Sequence, residues 1–161
     1  MIQPVWRIAT DAPDYMADDL SGEGARMTGG RWNRKGLPAL YAADTRALAC
    51  LETIVHLKAG GLPLNRYLVR IDVPGDVWAR AERHAAGTLP VGWDAKPHGK
   101  VSLDFGSDWL ARAGSCLLIV PSAIVPEEWN IVINPKHGDH ARLTARKERL
   151  WLYDPRLTGV A

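Results

Sequence analysis

Phenylalanine is almost missing from this chain. Phe105 stands alone against seven tryptophans and four tyrosines, so large flat surfaces, in the core or along a cleft, fall to tryptophan. Cysteine is nearly as scarce. Cys50 and Cys116 lie inside the apolar runs ALACLETIV and SCLLIV, with no CxxC and no metal-ligand spacing. A disulfide scaffold is excluded, and both thiols read as small buried hydrophobes of a reducing compartment. Charge of one sign is lacking too: 20 Lys and Arg against 18 Asp and Glu leave a net charge of +2, too little for a nucleic-acid polyelectrolyte. No apolar run has the length of a membrane span. The opening MIQPVWRIAT carries neither the basic start nor the apolar centre of a signal peptide, so a soluble, cytoplasmic protein is expected. Internal repeats, low-complexity stretches and linkers are absent. So is GxGxxG, which excludes a Rossmann dinucleotide site.

What is present suffices for one domain over residues 1–161. The chain is 47% apolar, and at this size it can bury roughly 70% of its unfolded surface without metal or disulfide. VWRIA (5–9) predicts a strand. The Gly- and Asp-rich segment from Asp11 to Gly30 predicts a short helix over Tyr15–Leu20 followed by a loop, a possible lid. Asn33–Pro38 is turn chemistry, and Leu40–Ala42 is a short strand. Asp44 fits an N-cap for a helix through TRALACLETIVHLKAGG that stops at Gly60-Gly61. That helix is apolar around most of its girth, with Leu48, Leu51 and Val55 as its main stripe, which places Glu52 at the edge of the core. Strands follow at 65–74, at SCLLIVPSAIV, at 127–135 and within 141–157. VWARAERHAAG is ambiguous, LPVGWDAKPHG is loop, and a helix is expected around Ser107–Arg112. This order predicts a compact α+β domain.

One short stretch gathers unlike chemistry. Arg31 follows a glycine pair that lets backbone approach a ligand closely, and its planar fork suits phosphate. Tyr41 offers an aromatic ring with a hydroxyl tip. Glu52 is a carboxylate held on a rigid, mostly buried helix. Phosphate grip, aromatic platform and fixed carboxylate together suit a dinucleotide that is cleaved. His56, four residues after Glu52, is at contact spacing and is expected to orient it. Trp32 is expected to anchor the Arg31 loop by packing. HGDH (137–140) resembles a metal cluster only superficially, since no third ligand is evident, and no metal is expected.

GRW (30–32), the glycine turn, Tyr41 and Glu52 in an Ala- and Leu-rich helix resemble the RES-domain family, named for an arginine, a glutamate and a serine. VPSAI supplies the serine, Ser122. WNIVINPKH (129–137) resembles the family's Asn-Pro-x-His segment, with Asn134, and LWLYDPRL (150–157) its closing aromatic-x-Asp-x-Arg-Leu strand. VWRIA matches its opening. The resemblance covers almost the whole chain, and its specificity lies in the order and spacing of these motifs.

The resemblance implies a toxin of a bacterial toxin–antitoxin pair, with a fold similar to ADP-ribosyltransferases of the diphtheria-toxin type. It implies NAD⁺ as substrate, consumed by hydrolysis, phosphorolysis or transfer of ADP-ribose to a protein. It also implies an antitoxin with a helix-turn-helix DNA-binding domain that blocks the site. Glu52, Arg31 and Tyr41 would be catalytic; Arg31, Tyr41, Ser122, Asn134 and His56 would line the NAD⁺ site. The rival from another class is an RNA-binding or RNA-cleaving module, in which tryptophans stack bases and the basic segment Arg142–Arg149 tracks phosphates. That segment could equally meet an acidic antitoxin or substrate protein.

Overall fold

The architecture is a seven-stranded mixed sheet with four helices, described in a computed structural model for residues 1–57 and 61–159. The strands are β1 (Ile2–Thr10), β2 (Leu40–Ala43), β3 (Arg66–Pro74), β4 (Glu82–Arg83), β5 (Leu117–Pro121), β6 (Trp129–Ile133) and β7 (Thr144–Leu150). Their order is β4-β5-β6-β2-β1-β3-β7. Only the β4–β5 pair is parallel; the other pairings are antiparallel. The helices are α1 (Glu23–Thr28), α2 (Arg46–Ile54), α3 (Gly75–Ala79) and α4 (Lys100–Arg112).

Side-chain alternation divides the core between the two faces of the sheet. One face carries Val5, Val69, Ile71, Ile131, Ile133, Leu117 and Ile119, covered by Val77 of α3 and by Ala17, Leu20 and Leu143. The other carries two separate clusters. Over β1 and β3, Leu48, Ala49 and Cys50 of α2 pack on Trp6, Ile8, Ala43 and Leu68. Over β5 and β6, Trp109 and Leu110 of α4 join Trp32 and Trp93 against Leu118, Val120 and Val132. Tyr41 of β2 and Asn130 of β6 lie along the seam where these two clusters meet, between α2 and the tryptophan layer.

Several sequence expectations need correction. Tyr15–Leu20 is not helical, because Asp11 Oδ1 accepts from the Ala17 amide at 2.6 Å and Ala12 pairs with Tyr15. These local bonds take the groups a helix would use. The helix forms later, at Glu23–Thr28, after Gly22 turns with a φ of 72° against Ala39; a Cβ there would lie 2.8 Å from the Ala39 nitrogen. Ala17 and Leu20 pack on the face away from the Tyr41–Asn130 seam, so that half of the segment is no lid over it. Thr45, not Asp44, caps α2, its hydroxyl accepting from the Leu48 amide at 3.1 Å. The helix ends at Ile54, and Val55 is exposed; the expected stop at Gly60 lies outside the described residues. The helix around Ser107 starts earlier, at Lys100.

Cys50 and Cys116 are both buried and unpaired. Burial raises both thiols, that of Cys116 to about 12, so neither supplies a thiolate near neutral pH. Native protein is therefore expected to resist maleimide, and both cysteines to label once it is unfolded; mass spectrometry before and after denaturant checks this. No helix among the described residues is long and apolar enough to cross a membrane.

Candidate active site

Glu52 is in the last turn of α2, half-buried. Its Oε1 accepts two hydrogen bonds, from Ser122 Oγ at 2.7 Å and from Asn130 Nδ2 at 2.8 Å. Ser122 follows directly on β5 and is completely buried; its Oγ also accepts from the amides of Ile124 and Val125 at 3.0 and 3.1 Å. The hydroxyl proton therefore has one destination, the carboxylate. Both donors fall on Oε1, and among the described residues Oε2 carries no hydrogen bond, so it is free to face a ligand. The same last turn of α2 is held by Thr53 Oγ1, 2.7 Å from the Tyr153 hydroxyl.

Tyr41 lies opposite Val132 in the β2–β6 ladder, and Ala43 opposite Asn130. Alternation thus puts the Tyr41 ring on the same face as Asn130, one diagonal step away, within reach of long side chains. Its hydroxyl is already engaged: it donates to Asn33 Oδ1 at 2.5 Å and accepts from the Trp32 amide at 3.1 Å. Burial raises the phenol well above its ordinary range, so it stays neutral. The hydroxyl tip is a peg that fixes residues 32 and 33.

Arg31 is held from both sides of that peg. A Cβ on Gly30 would stand 2.8 Å from the Tyr41 hydroxyl, so the glycine is needed for the close approach of this loop to the tyrosine. Trp32 is buried, stacked on Trp93 at 6.2 Å and edge-on to Phe105, which is the anchoring expected of it. The loop is also tied to α4 by an Arg34–Asp104 ion pair. The Arg31 guanidinium is half-buried, and its Nη1 donates to the carbonyls of Trp93 and Ala95 at 3.0 and 2.8 Å. Burial lowers its pKa, and the carboxylate charges of Glu52 and Asp94 oppose that shift. Arg31 and Glu52 thus share one electrostatic neighbourhood, with Nε and Nη2 of Arg31 unbonded among the described residues.

His56 lies beyond the end of α2, exposed, and makes no hydrogen bond to Glu52. Ser122 and Asn130 do the orienting that the sequence assigned to His56. Partial burial, with the Arg31 charge as a smaller cause, lowers the pKa of His98. Asn134 does not join the group. It is buried, and its side chain donates to the Leu110 carbonyl and accepts from the Lys136 amide, both at 3.0 Å. Four residues separate it from Asn130, about 13 Å along a strand. WNIVINP contains both asparagines on the same parity. The one that meets Glu52 is Asn130, which sequence reasoning missed because the Asn-Pro dipeptide drew attention to the other. In HGDH, Asp139 pairs with Arg80 and Arg142, and His140 Nε2 meets the Leu20 carbonyl. No group of three His, Cys, Asp or Glu side chains among the described residues could hold a metal ion.

A family model described as the RES domain matches residues 4–154. The chain belongs to the RES-domain family. It is 62% identical, over all 161 residues and the full length of both proteins, to the "Prs ADP-ribosylating toxin" of Sphingobium sp. (strain YBL2). It is 36% identical over 136 residues to a "Toxin Res" of Photorhabdus laumondii, covering 84% of this chain and 85% of that one. A "Toxin Res" of Yersinia enterocolitica is 33% identical over 144 residues, covering 89% and 93%. Of the RES motif residues read from the sequence, Glu52 and Ser122 are in direct contact. Arg31 makes no hydrogen bond or ion pair with either among the described residues; the Glu52 charge acts on it at a distance, and Tyr41 pegs its loop through the Trp32 amide.

Proposed function

We propose that this chain is a toxin that cleaves the bond between nicotinamide and ribose in NAD⁺ and transfers the ADP-ribose to a protein. The observation that carries the reading is the Glu52 carboxylate, held by Ser122 and Asn130 with one oxygen free, in the electrostatic neighbourhood of Arg31. Cleavage of the N-glycosidic bond sends the electron pair to the nicotinamide ring and builds positive charge on the ribose. A fixed carboxylate stabilises that charge, or accepts a hydrogen bond from a ribose hydroxyl, without reorganising at the moment of reaction. The unbonded nitrogens of Arg31 suit the diphosphate or the adjacent ribose. Tyr41 presents its ring to nicotinamide and, through its hydroxyl, positions the Arg31 loop. The acceptor nucleophile then adds to the ribose carbon and releases a proton. Nicotinamide leaves without Lewis-acid help, so the residues present fit the substrate.

The name of the Sphingobium relative favours transfer over hydrolysis or phosphorolysis, and Prs as the acceptor. The mixed α+β sheet is compatible with an ADP-ribosyltransferase-like fold, and a helix-turn-helix antitoxin covering the seam would complete the pair.

The test is nicotinamide release with and without phosphate, alongside labelling of purified Prs with biotinylated NAD⁺. A labelled Prs band supports transfer; release that depends on phosphate with no band points to phosphorolysis; no release at all sinks the reading. Arg31→Ala is expected to lower release by about a hundredfold, roughly 2.7 kcal/mol of lost charge-assisted binding. Ser122→Ala removes one of the two donors that orient Glu52. It is expected to lower kcat by about tenfold with little change in KM, the signature of a bond to a charged group worth about 1.5 kcal/mol.

A further inference from the structure

On the other flank of α2 the same sheet face carries an open groove of about 370 Å³, lined by Arg46, Leu68, Arg70, Arg146, Glu148 and Arg149. Arg70 and Arg146 are directly opposed in the β3–β7 ladder, an arrangement that like charges disfavour. A bulge between Leu68 and Val69 interrupts the register, so that Leu68 faces Arg149 and Glu148 is the extra residue. Two carboxylates answer part of this charge, Asp72 on Arg70 at 2.6 Å and Glu148 on Arg146 at 3.1 Å. Arg46 and Arg149 lie instead over the rings of Trp6 and Trp151, at 3.8 and 4.6 Å, and neither has a carboxylate partner among the described residues. Four guanidiniums against two carboxylates leave an excess of positive charge, in a chain whose total is only +2.

We propose that this groove docks an acidic surface segment of the protein that accepts ADP-ribose, a proposal that rests on the transferase reading above. Charge complementarity selects the segment: carboxylates fit an arginine groove that has two cations unpaired. Position selects the acceptor over a blocking antitoxin. Arg46 and Glu52 stand at opposite ends of α2, about 9 Å apart along its axis, and the helix separates the groove from the seam. An occupant of the groove therefore leaves the seam open for NAD⁺, as an acceptor must and a blocker must not.

The test compares wild-type protein with the double variant Arg146→Glu/Arg149→Glu, and with Arg146→Gln/Arg149→Gln should the reversal disturb folding. Purified Prs is the acceptor and a decaglutamate peptide the competitor. Nicotinamide release in the absence of Prs is expected to be equal in all forms, which establishes an intact active site. The KM for Prs is expected to rise about tenfold in the reversed variant, and decaglutamate to inhibit transfer by wild type but not by the variant. Transfer with unchanged KM overturns the docking proposal, as does an RNA or polyphosphate that fills the groove without affecting transfer. Absence of transfer to Prs by wild type, with nicotinamide still released, overturns the transferase reading and the docking proposal with it.

Discussion

Glu52→Gln is expected to lower nicotinamide release by about three orders of magnitude, some 4 kcal/mol of transition-state stabilisation. The replacement amide keeps a carbonyl oxygen that accepts from both Ser122 and Asn130, so geometry is preserved and only the charge is removed. The two bonds weaken from charge-assisted to neutral, which costs about 1 kcal/mol of stability, or about 2–4 °C in Tm. Chromatographic assay of nicotinamide and a thermal melt measure the two effects separately. A glutamine variant with full activity would show that no carboxylate is needed here and would remove the basis of the mechanism.

Gly106→Ala is the second large effect, and it acts from outside the seam. Gly106 lies in α4 directly against the backbone of Trp32, where an added Cβ would stand 1.9 Å from the Trp32 carbonyl oxygen. In an exposed helix this substitution stabilises, because alanine is the better helix former. Here α4 and the Arg31 loop must separate. The overpacking is expected to cost about 3 kcal/mol, a drop of about 6–12 °C in Tm. Because Trp32 is neighbour to Arg31 and bonded to Tyr41, activity should fall at temperatures where the variant is still folded. A melt unchanged or raised by Gly106→Ala would mean that helix and loop are not in contact.

The element types were largely legible in the chain. Residue pattern located six of the seven strands: alternation where one face is buried, and a continuous apolar run for β5, which is buried on both. The β4 strand, two residues long, carries no pattern at all. Helix positions were misjudged where the deciding bond comes from a side chain, as with Thr45 at α2 and Asp11 in the loop after β1. The site was legible as a set of residue types and not as an arrangement. Arg31, Tyr41 and Glu52 stood out by kind, but the donors that hold Glu52 lie 70 and 78 residues away from it. No local spacing encodes which of two asparagines, Asn130 on β6 or Asn134 just past its end, faces it. His56 was assigned as the orienting partner on a four-residue helical spacing, and the helix stops before reaching it.

The amino-acid order alone determined an α+β chain with buried thiols, near-neutral charge and RES motifs in sequence, because composition and periodicity are local properties. Only the tertiary structure decided that Asn130 holds the carboxylate while Asn134 serves the core, that Tyr41 pegs the arginine loop, and that four arginines converge beside α2. Those outcomes depend on strand register and on which face each helix covers, and both are settled by contacts between residues far apart in the chain.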